Sequence, residues 1–337
     1  MITNLKIKHF KAIKDCEIEL GKLNVVIGAN NSGKSSLIHA IHFSVATCQS
    51  AKLSARQRFR SNALKTTLGS DEIIWSPIQD TYQLAHEESL TQDRPMQFHY
   101  RDNIAGDCNV EVARGKNKNI NLRVTGEILG DQMMSLETIF SIYVPGLAGI
   151  SKQERFMSQG VIMRTVAQGD ANLAFRNVLY LLRLDDVKWT DFIEKFRLVF
   201  PTYDILVNFD QATDEYIDVK IKLGAHAEKP IDTAGTGMLQ AIQILAYTTL
   251  YNPQMLLLDE PDSHLHPNNQ RVLCGVLKNI SEQTDTQIII STHSPYVLSE
   301  FSEDATIIWF KGGKTEPYDD SNKVILLSEL GALGVIE

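Results

Sequence analysis

The sequence predicts an α/β fold built around a phosphate-binding loop, and three observations indicate it. Residues 28–35 read GANNSGKS, follow the apolar run Leu23–Ile27 and lead into a segment of helical character at residues 36–48. The last third of the chain alternates helical segments with short, wholly apolar strands, as a parallel sheet covered on both faces requires. One of those strands ends in two adjacent carboxylates, Asp259 and Glu260.

The composition is that of a globular chain. Of the 337 residues, 43% are hydrophobic and 22% are charged. The sequence contains no apolar run of about 18 residues, the length that a membrane span needs, and its N-terminus lacks the pattern of a signal peptide. The cysteines show neither pairing nor metal-ligand spacing; they are Cys16, Cys48, Cys108 and Cys274. We therefore expect a cytoplasmic protein with reduced thiols and no membrane partner.

The charge distribution leaves two basic clusters in an acidic chain. The formal net charge of −8 argues against a surface covered with nucleic-acid contacts. The clusters consist of Lys52, Arg56, Arg58, Arg60 and Lys65, and of Arg114, Lys116, Lys118 and Arg123. Either cluster could follow a phosphate backbone. Because neither contains interleaved aromatic residues, a solvated surface or a contact with a partner protein is the favoured interpretation.

The remaining elements follow from periodicity along the chain. Alternating apolar and polar residues predict an antiparallel pair at residues 3–9 and 14–20. Further strands are predicted at residues 96–100, 108–113, 120–128, 203–209, 215–223, 255–258, 287–290 and 305–310. Helices are predicted at residues 175–184, 187–200, 238–250 and 268–282. The pattern divides the chain into a first core part at 1–50, an inserted β and helical lobe at 51–230, and a second core part at 231–337.

The loop at residues 28–35 has the composition that phosphate binding requires. Its glycines let the backbone curl so that successive N–H groups point at a phosphate, at the positive end of the following helix. The candidate nucleotide contacts are Gly28, Ala29, Asn30, Asn31, Ser32, Gly33, Lys34, Ser35 and Ser36. Lys34 can reach the β- and γ-phosphates, and the Ser35 hydroxyl can hold Mg²⁺. The loop therefore predicts a nucleotide and Mg²⁺ as ligands.

Two further motifs follow buried strands. At the end of the strand at residues 255–258, Asp259 can join the Mg²⁺ shell, and Glu260 can orient and deprotonate an attacking water. His293 follows the strand at residues 287–290, from which it could contact the γ-phosphate or the water.

A glycine turn opens the helix that precedes these carboxylates. Gly235, Thr236 and Gly237 stand at its start, where free N–H groups form a second anion site. One chain does not need two such helix ends for one nucleotide. Two chains arranged head to tail would use both, so that the turn of one chain closes over the γ-phosphate bound by the other.

These motifs, in this order, resemble the ABC-type ATPase heads, most closely the OLD-family, RecF-like and SMC-like branch of DNA-maintenance ATPases. The run DEPDSHLHP at residues 259–267 is similar to the acidic strand and dimer loop of OLD-like heads. The opening IKHFKA at residues 7–12 resembles the first strand of these heads. The resemblance implies that a basic residue at the position of Lys11 approaches the nucleotide. It also implies the P-loop NTPase fold of such a head, with a mixed central sheet, an antiparallel β subdomain and an α-helical lobe.

The chain also departs from the pattern of this family. It has AGTGMLQ where the usual signature turn is LSGGQ, and either Thr233 or Thr236 could replace the serine. The glutamine of the Q-loop could be Gln79, Gln83 or Gln159. Residues 51–230 lack heptads, so the long coiled coil of SMC heads is not expected. After Phe310 the acidic pair Asp319–Asp320 stands in a loop, and a Toprim nuclease is not expected either.

The resemblance implies an ATPase that binds Mg-ATP, dimerises around two nucleotides and hydrolyses slowly. Closure and opening would then control a separate effector, perhaps a nuclease, in antiviral defence or DNA maintenance. A first alternative is a DNA-end-binding scaffold that uses the basic segment at residues 51–65 and hydrolyses ATP only to reset. A second is the motor subunit of a membrane transporter, which the altered signature turn and the HLHP run disfavour.

Overall fold

The computed structural model describes residues 1–54, 59–146, 149–301 and 303–318. Arg56, Arg58, Asp319 and Asp320 lie outside these residues. The strands are β1 (Ile2–Phe10), β2 (Ile13–Glu19), β3 (Leu23–Ile27), β4 (Ala63–Leu68), β5 (Met96–Asp102), β6 (Gly106–Arg114), β7 (Ile120–Thr125), β8 (Ser141–Val144), β9 (Tyr203–Asn208), β10 (Asp218–Leu223), β11 (Lys229–Pro230), β12 (Met255–Asp259), β13 (Gln287–Ser291), β14 (Thr306–Lys311) and β15 (Lys314–Glu316). The helices are α1 (Lys34–Ser54), α2 (Glu127–Met134), α3 (Gln159–Ala167), α4 (Phe175–Arg183), α5 (Asp186–Val199), α6 (Thr236–Tyr251), α7 (Pro267–Gln283) and α8 (Pro295–Phe301).

The central sheet carries the sequence motifs. Its strand order is β15-β14-β3-β13-β12-β8, with parallel pairing throughout except for the antiparallel edge strand β15. Successive residues of β3 enter different cores: Val25 and Ile27 pack with the helices α4–α7, whereas Val26 packs with α1 and the antiparallel sheet. A strand buried on both faces is apolar at most positions, as Leu23–Ile27 is. The exception is the buried Asn24, whose side-chain amide donates to the carbonyls of Gly21 and Ile288. The predicted α/β fold with a mixed central sheet is confirmed.

A second sheet is wholly antiparallel, in the order β2-β1-β5-β6-β7-β4. Its alternating strands bury one face against α1 and expose the other, as their sequence pattern predicts. The predicted strand at residues 120–128 is wrong at its end, because β7 stops at Thr125 and α2 begins at Glu127. Gly126 separates them with a φ of 98°, and a Cβ there would overlap the carbonyl oxygen of Asp107.

The helical lobe is formed by α3–α5 and a small sheet of order β11-β10-β9. The predicted helices at 175–184 and 187–200 are present as α4 and α5, and the predicted hairpin is β9–β10. Asp185 caps α5, since its carboxylate accepts hydrogen bonds from the amides of Val187 and Lys188. The sequence did not predict β8, which lies within the predicted insertion at 51–230 yet forms the edge of the central sheet next to β12.

A buried ionic network ties this lobe to the segment before α6. The Arg176 guanidinium, 4% exposed, donates to Asp232 Oδ1 at 2.5 Å and to the carbonyl of Ser151 at 2.5 Å. Glu154 Oε2 accepts the amide hydrogen bonds of Arg176 at 2.8 Å and Asn177 at 3.2 Å, at the first turn of α4. The carboxylate of Glu154 is itself 2% exposed. The charges of Glu154 and Arg176 are therefore buried together.

We predict that Glu154→Ala destabilises the fold strongly. It leaves the Arg176 cation buried beside fewer acceptors and removes the cap of α4, so the free energy of unfolding should fall by about 3–5 kcal/mol. Urea denaturation measures this change. The matched control is Glu215→Ala, which removes an exposed carboxylate 2.6 Å from Arg155 and should cost less than about 1 kcal/mol. Equal losses in the two variants would contradict the prediction.

Candidate active site

The parallel register of the central sheet brings the predicted motifs to one edge. The strands β3, β13 and β12 are neighbours and run in the same direction, so their carboxyl ends meet. The phosphate-binding loop follows β3, the histidine motif follows β13, and the two carboxylates end or follow β12. In open α/β sheets this edge is where ligands bind.

Lys34 is the first residue of α1, and its buried side chain reaches back into the preceding loop. Its ammonium donates to the carbonyl oxygens of Gly28 at 3.0 Å and Ala29 at 3.1 Å, and the residue is only 5% exposed. Burial lowers the pKa of Lys34 below its ordinary value, while the carboxylates of Glu260 and Asp259 oppose that shift. A buried cation held mainly by neutral carbonyls is a site of unmatched positive charge, which an anion would stabilise.

The backbone of this loop depends on glycine at one position above all. Gly28 has a φ of 151°, and a Cβ there would overlap the carbonyl oxygen of Phe310 on β14. Asn30 and Asn31 are exposed at the tip of the loop, and Asn31 has a φ of 60°. The buried hydroxyl of Ser32 has no hydrogen-bond partner within the described residues. Gly33 and Ser36 are buried where α1 begins, at the end that attracts anions.

The two residues expected to hold Mg²⁺, Ser35 and Asp259, stand at the start of α1 and at the end of β12. Ser35 Oγ lies 3.3 Å from Asp259 Oδ1, and Ser291 Oγ donates to the same oxygen at 2.5 Å. Among the described residues, no group of three or more His, Cys, Asp or Glu side chains is arranged to hold a metal. One carboxylate and one hydroxyl fit Mg²⁺, which usually binds through few protein oxygens and completes its shell with phosphates and water.

Glu260 is held beside His293 in a strained conformation. His293 Nε2 lies 3.0 Å from Glu260 Oε1, and this contact holds the pKa of Glu260 below its ordinary value despite partial burial. The φ of Glu260 is 49°, in the left-handed region. Its amide donates to the backbone oxygen and to Oγ of Ser291, both at 3.1 Å. The Glu260 carboxylate is thus ionised at neutral pH. Contacts with Ser291, the last residue of β13, and with His293 orient it.

The glycine turn presents an exposed helix end. Gly235 caps α6, and both Gly235 and Thr236 are exposed. Gly237 is buried against the segment after Glu260, where a Cβ would lie 2.5 Å from the carbonyl oxygen of His264. Thr233 Oγ1 already donates to the carbonyl of Pro230 at 2.8 Å. Of the two candidate hydroxyls, that of Thr236 is the better placed to meet a ligand.

The structure places Lys11 in a network that the sequence did not predict. Lys11 stands in the turn between β1 and β2, and its Nζ lies 2.8 Å from His39 Nδ1 on α1. His39 Nε2 lies 3.1 Å from the hydroxyl of Tyr143, the third residue of β8. Burial raises the pKa of Tyr143, and the nearby carboxylate of Asp259 raises it further. No sequence motif marks Tyr143, which lies in a strand of only four residues.

All three glutamine candidates are exposed and lie outside the central sheet. Gln79 and Gln83 are exposed near the short 3-10 helix Thr81–Leu84, and Gln159 is the exposed first residue of α3. By contrast, Gly146, two residues after β8, lies beside β12, where a Cβ would be 3.7 Å from the carbonyl oxygen of Asp259. The choice among the three glutamines stays a prediction.

Comparison with known proteins supports the resemblance. Residues 1–139 match a family described as "AAA ATPase domain", and residues 153–299 match "AAA domain, putative AbiEii toxin, Type IV TA system". An OLD nuclease of Thermus scotoductus is 22% identical over 88% of this chain, and an ATP/GTP phosphatase of Helicobacter pylori is 20% identical over 87%. The chain spans 59% of the OLD nuclease and 85% of the phosphatase.

A solved SMC head bound to the C-terminal winged-helix domain of ScpA shares the fold with a TM-score of 0.59, at 17% identity, over 94% of this chain and 96% of that one. The chain is an ATPase of the AAA/ABC class, similar to the OLD nuclease, and it shares the fold of the SMC head. The ATPase head therefore has the P-loop NTPase fold that the motifs predicted. Within the part of the head that the structure describes, no helix is long and apolar enough to cross a membrane.

We predict that the two glycines of the turn differ in their structural role. Gly237→Ala forces a Cβ against the backbone of His264 and should lower the free energy of unfolding by about 1–3 kcal/mol. Gly235→Ala meets no atom within 4 Å at a φ of −63°, and it should stay within about 0.5 kcal/mol of the parent. Thermal denaturation of both variants measures the difference. Similar melting temperatures would show that the turn does not depend on its contact with His264.

Proposed function

We propose that this ATPase head binds Mg-ATP between two copies of the chain and hydrolyses it slowly. The geometry around Glu260 carries the proposal. The Glu260 carboxylate, 3.0 Å from His293 Nε2, follows the carboxylate that faces Ser35. Both stand at the sheet edge where the buried Lys34 donates to backbone carbonyls. That is the arrangement a nucleoside triphosphate with an attacking water requires.

Each site residue has a role in this reaction. Lys34 and the amides of the loop neutralise and orient the phosphates. Ser35 and Asp259 would hold Mg²⁺, which would neutralise charge on the phosphates. Glu260 accepts a proton from the attacking water, and its lowered pKa keeps it ionised at neutral pH. His293 orients Glu260 and lies within reach of the γ-phosphate.

The exposed start of α6 supports the dimer. Gly235 and Thr236 offer free N–H groups to an anion outside their own chain. Ser263 and His264, exposed in the segment that packs against Gly237, extend this surface. If ATP binds the pair better than the single chain, ATP drives association by linkage. Closure and opening of the pair would then be the mechanical output.

A separate effector is the most direct use of that output. One relative is named a nuclease, and the description of one matching family mentions a toxin system. The related SMC head was solved with a domain of a partner protein, ScpA. These relatives support control of a partner effector, in antiviral defence or DNA maintenance. The chain spans only part of the OLD nuclease, so the activity of that whole protein is not transferred to it.

The basic clusters give weaker support to the DNA-binding alternative. Arg114 lies over the ring of Tyr82 at 4.9 Å, and Arg123 lies 3.6 Å from the carboxylate of Glu111. Both side chains therefore already contact other residues of their own chain. DNA binding that requires ATP and weakens steeply with salt would favour the alternative.

We predict that Glu260→Gln separates binding from hydrolysis. Turnover should fall by about 10²–10⁴-fold, because the amide cannot accept the proton, while ATP binding persists and ATP-bound dimers accumulate. Phosphate release and light scattering measure the two effects. Lys34→Ala should abolish nucleotide binding, whereas Glu282→Gln, an exposed carboxylate on α7, should match the parent. Parental turnover in Glu260→Gln would refute the assignment of the base.

We predict that Gly235→Asp blocks association without unfolding the chain. The position is exposed and has room for a side chain, but a carboxylate there would face the γ-phosphate bound by the other copy and repel it. The variant should bind ATP as a monomer, stay monomeric by light scattering with Mg-ATP, and lose most of its turnover. Gly235→Ala is the uncharged control. ATP-dependent dimers of Gly235→Asp would place the turn outside the dimer interface.

A further inference from the structure

The glycine turn that opens α6 has no side chain of its own to set its direction. Gly235 caps α6 and is exposed, and a Cβ built on it would meet no atom within 4 Å. Because glycine has no side-chain acceptor, the first amides of α6 receive no bond from it, and the backbone before the turn decides where they point. That backbone is the 3-10 helix Ile231–Thr233. Whatever holds this 3-10 helix therefore orients the exposed amides of α6.

Two neighbouring residues anchor the 3-10 helix on different sides. The side chain of Ile231 is buried in the core. The next side chain, Asp232, accepts a hydrogen bond at 2.5 Å from the guanidinium of Arg176 on α4. Successive side chains of a 3-10 helix point about 120° apart, since three residues make one turn. The apolar anchor thus fixes how deeply the 3-10 helix packs, and the ionic anchor fixes its rotation.

Arg176 is itself held firmly by the helical lobe. It is buried, and its guanidinium also donates to the carbonyl oxygens of Ser151 at 2.5 Å and Lys152 at 3.3 Å. A second carboxylate, that of Glu154, lies 3.7 Å from Nη1. The planar fork of arginine can meet acceptors in several fixed directions at once. The lobe therefore sets the position of the guanidinium, and Asp232, whose side chain is 37% exposed, follows it.

The energetics of a buried ion pair favour a role in geometry over a role in stability. The desolvation of both charges offsets most of their attraction, so an intact pair adds little net stability. The pair does disfavour other arrangements, because a shift of the 3-10 helix would leave the buried guanidinium without one of its two carboxylates. A fixed direction has a use here, since the exposed Gly235 follows three residues after Asp232.

We propose that Arg176 and Asp232 are positioning residues that orient the turn at residues 235–237 toward the γ-phosphate bound by a second copy of the chain. This inference rests on the proposed function. The contacts of the pair lie in the helical lobe and in the segment before α6. Loss of the pair should therefore leave nucleotide binding by a single chain intact and impair the nucleotide site of the other copy.

Turnover at saturating Mg-ATP tests this role in Asp232→Ala. Loss of a hydrogen bond to a charged group, with displacement of the turn, should lower kcat by about 10–100-fold. At low concentration, the monomeric variant should bind a fluorescent, non-hydrolysable ATP analogue as tightly as the parent. The matched control is Glu215→Ala, which removes an exposed carboxylate of the same lobe, 2.6 Å from Arg155, and should keep the parental kcat. Equal kcat values in the two variants would overturn the inference.

A mixture of variants separates an effect on the other copy from a general loss of structure. Glu260→Gln keeps an intact turn but cannot activate water, whereas Asp232→Ala keeps Glu260 but misplaces its turn. In a mixed pair, the intact turn of the first variant faces the intact nucleotide site of the second. An equimolar mixture, made before ATP is added, should therefore turn over faster than the average of the two variants alone. No gain in the mixture would also overturn the inference, because the defect would then lie in the variant's own site.

Two further measurements distinguish this inference from the proposed function. If the parent does not associate with Mg-ATP, or if Glu260→Gln hydrolyses ATP at the parental rate, the proposed function fails and the inference falls with it. If both expectations hold and the mixture shows no gain, the inference alone is wrong. Should Asp232→Ala unfold at the assay temperature, Asp232→Asn replaces it in both experiments. This variant keeps an oxygen acceptor for Arg176 without the charge, so it should lose less turnover in the same direction.

Discussion

The parallel pairing of β12 with β13 is the constraint on which the site depends. It places Asp259 opposite Ser291, and the serine hydroxyl then donates to the carboxylate while accepting the amide of Glu260. One buried hydroxyl thus orients the residue expected to hold Mg²⁺ and the residue expected to activate water. A slip of one residue in this register would turn Asp259 to the other face of the sheet and separate both carboxylates from the phosphate-binding loop.

The strain at Glu260 is a consequence of the same pairing. The strand ends at Asp259, and the chain must turn at once if the next side chain is to reach His293. It does so with a left-handed φ of 49°, which costs on the order of 1 kcal/mol for a residue other than glycine. The bonds of the Glu260 amide to Ser291 and of its carboxylate to His293 offset that cost. The strained backbone of Glu260 thus orients its carboxylate toward His293 and does not add to the stability of the fold.

The sequence predicted those parts of the fold that obey a local rule. Predominantly apolar runs predicted β3, β12 and β13, and alternating runs predicted the antiparallel sheet. The prediction failed where tertiary contacts decide: β8 has only the four residues Ser141–Val144, too few for periodicity to mark it. Gly126 ends β7 because its left-handed backbone fits against Asp107, a contact that pattern alone does not show. Tyr143 was missed for the same reason, since only the folded sheet brings it to Asp259.

The helix α6 packs directly against the segment that follows Glu260. Gly237 packs on the carbonyl of His264, and Gln270 on α7 donates to the carbonyls of Asp262 and Leu265 at 3.0 Å. Gln270 also accepts a hydrogen bond from Ser294, the residue after His293, at 2.8 Å. Packed backbone and hydrogen bonds therefore connect the exposed turn to the residues that flank Glu260 and His293. In the proposed dimer, a second copy that approaches at Gly235 would therefore press on the segment next to Glu260, and hydrolysis would depend on association.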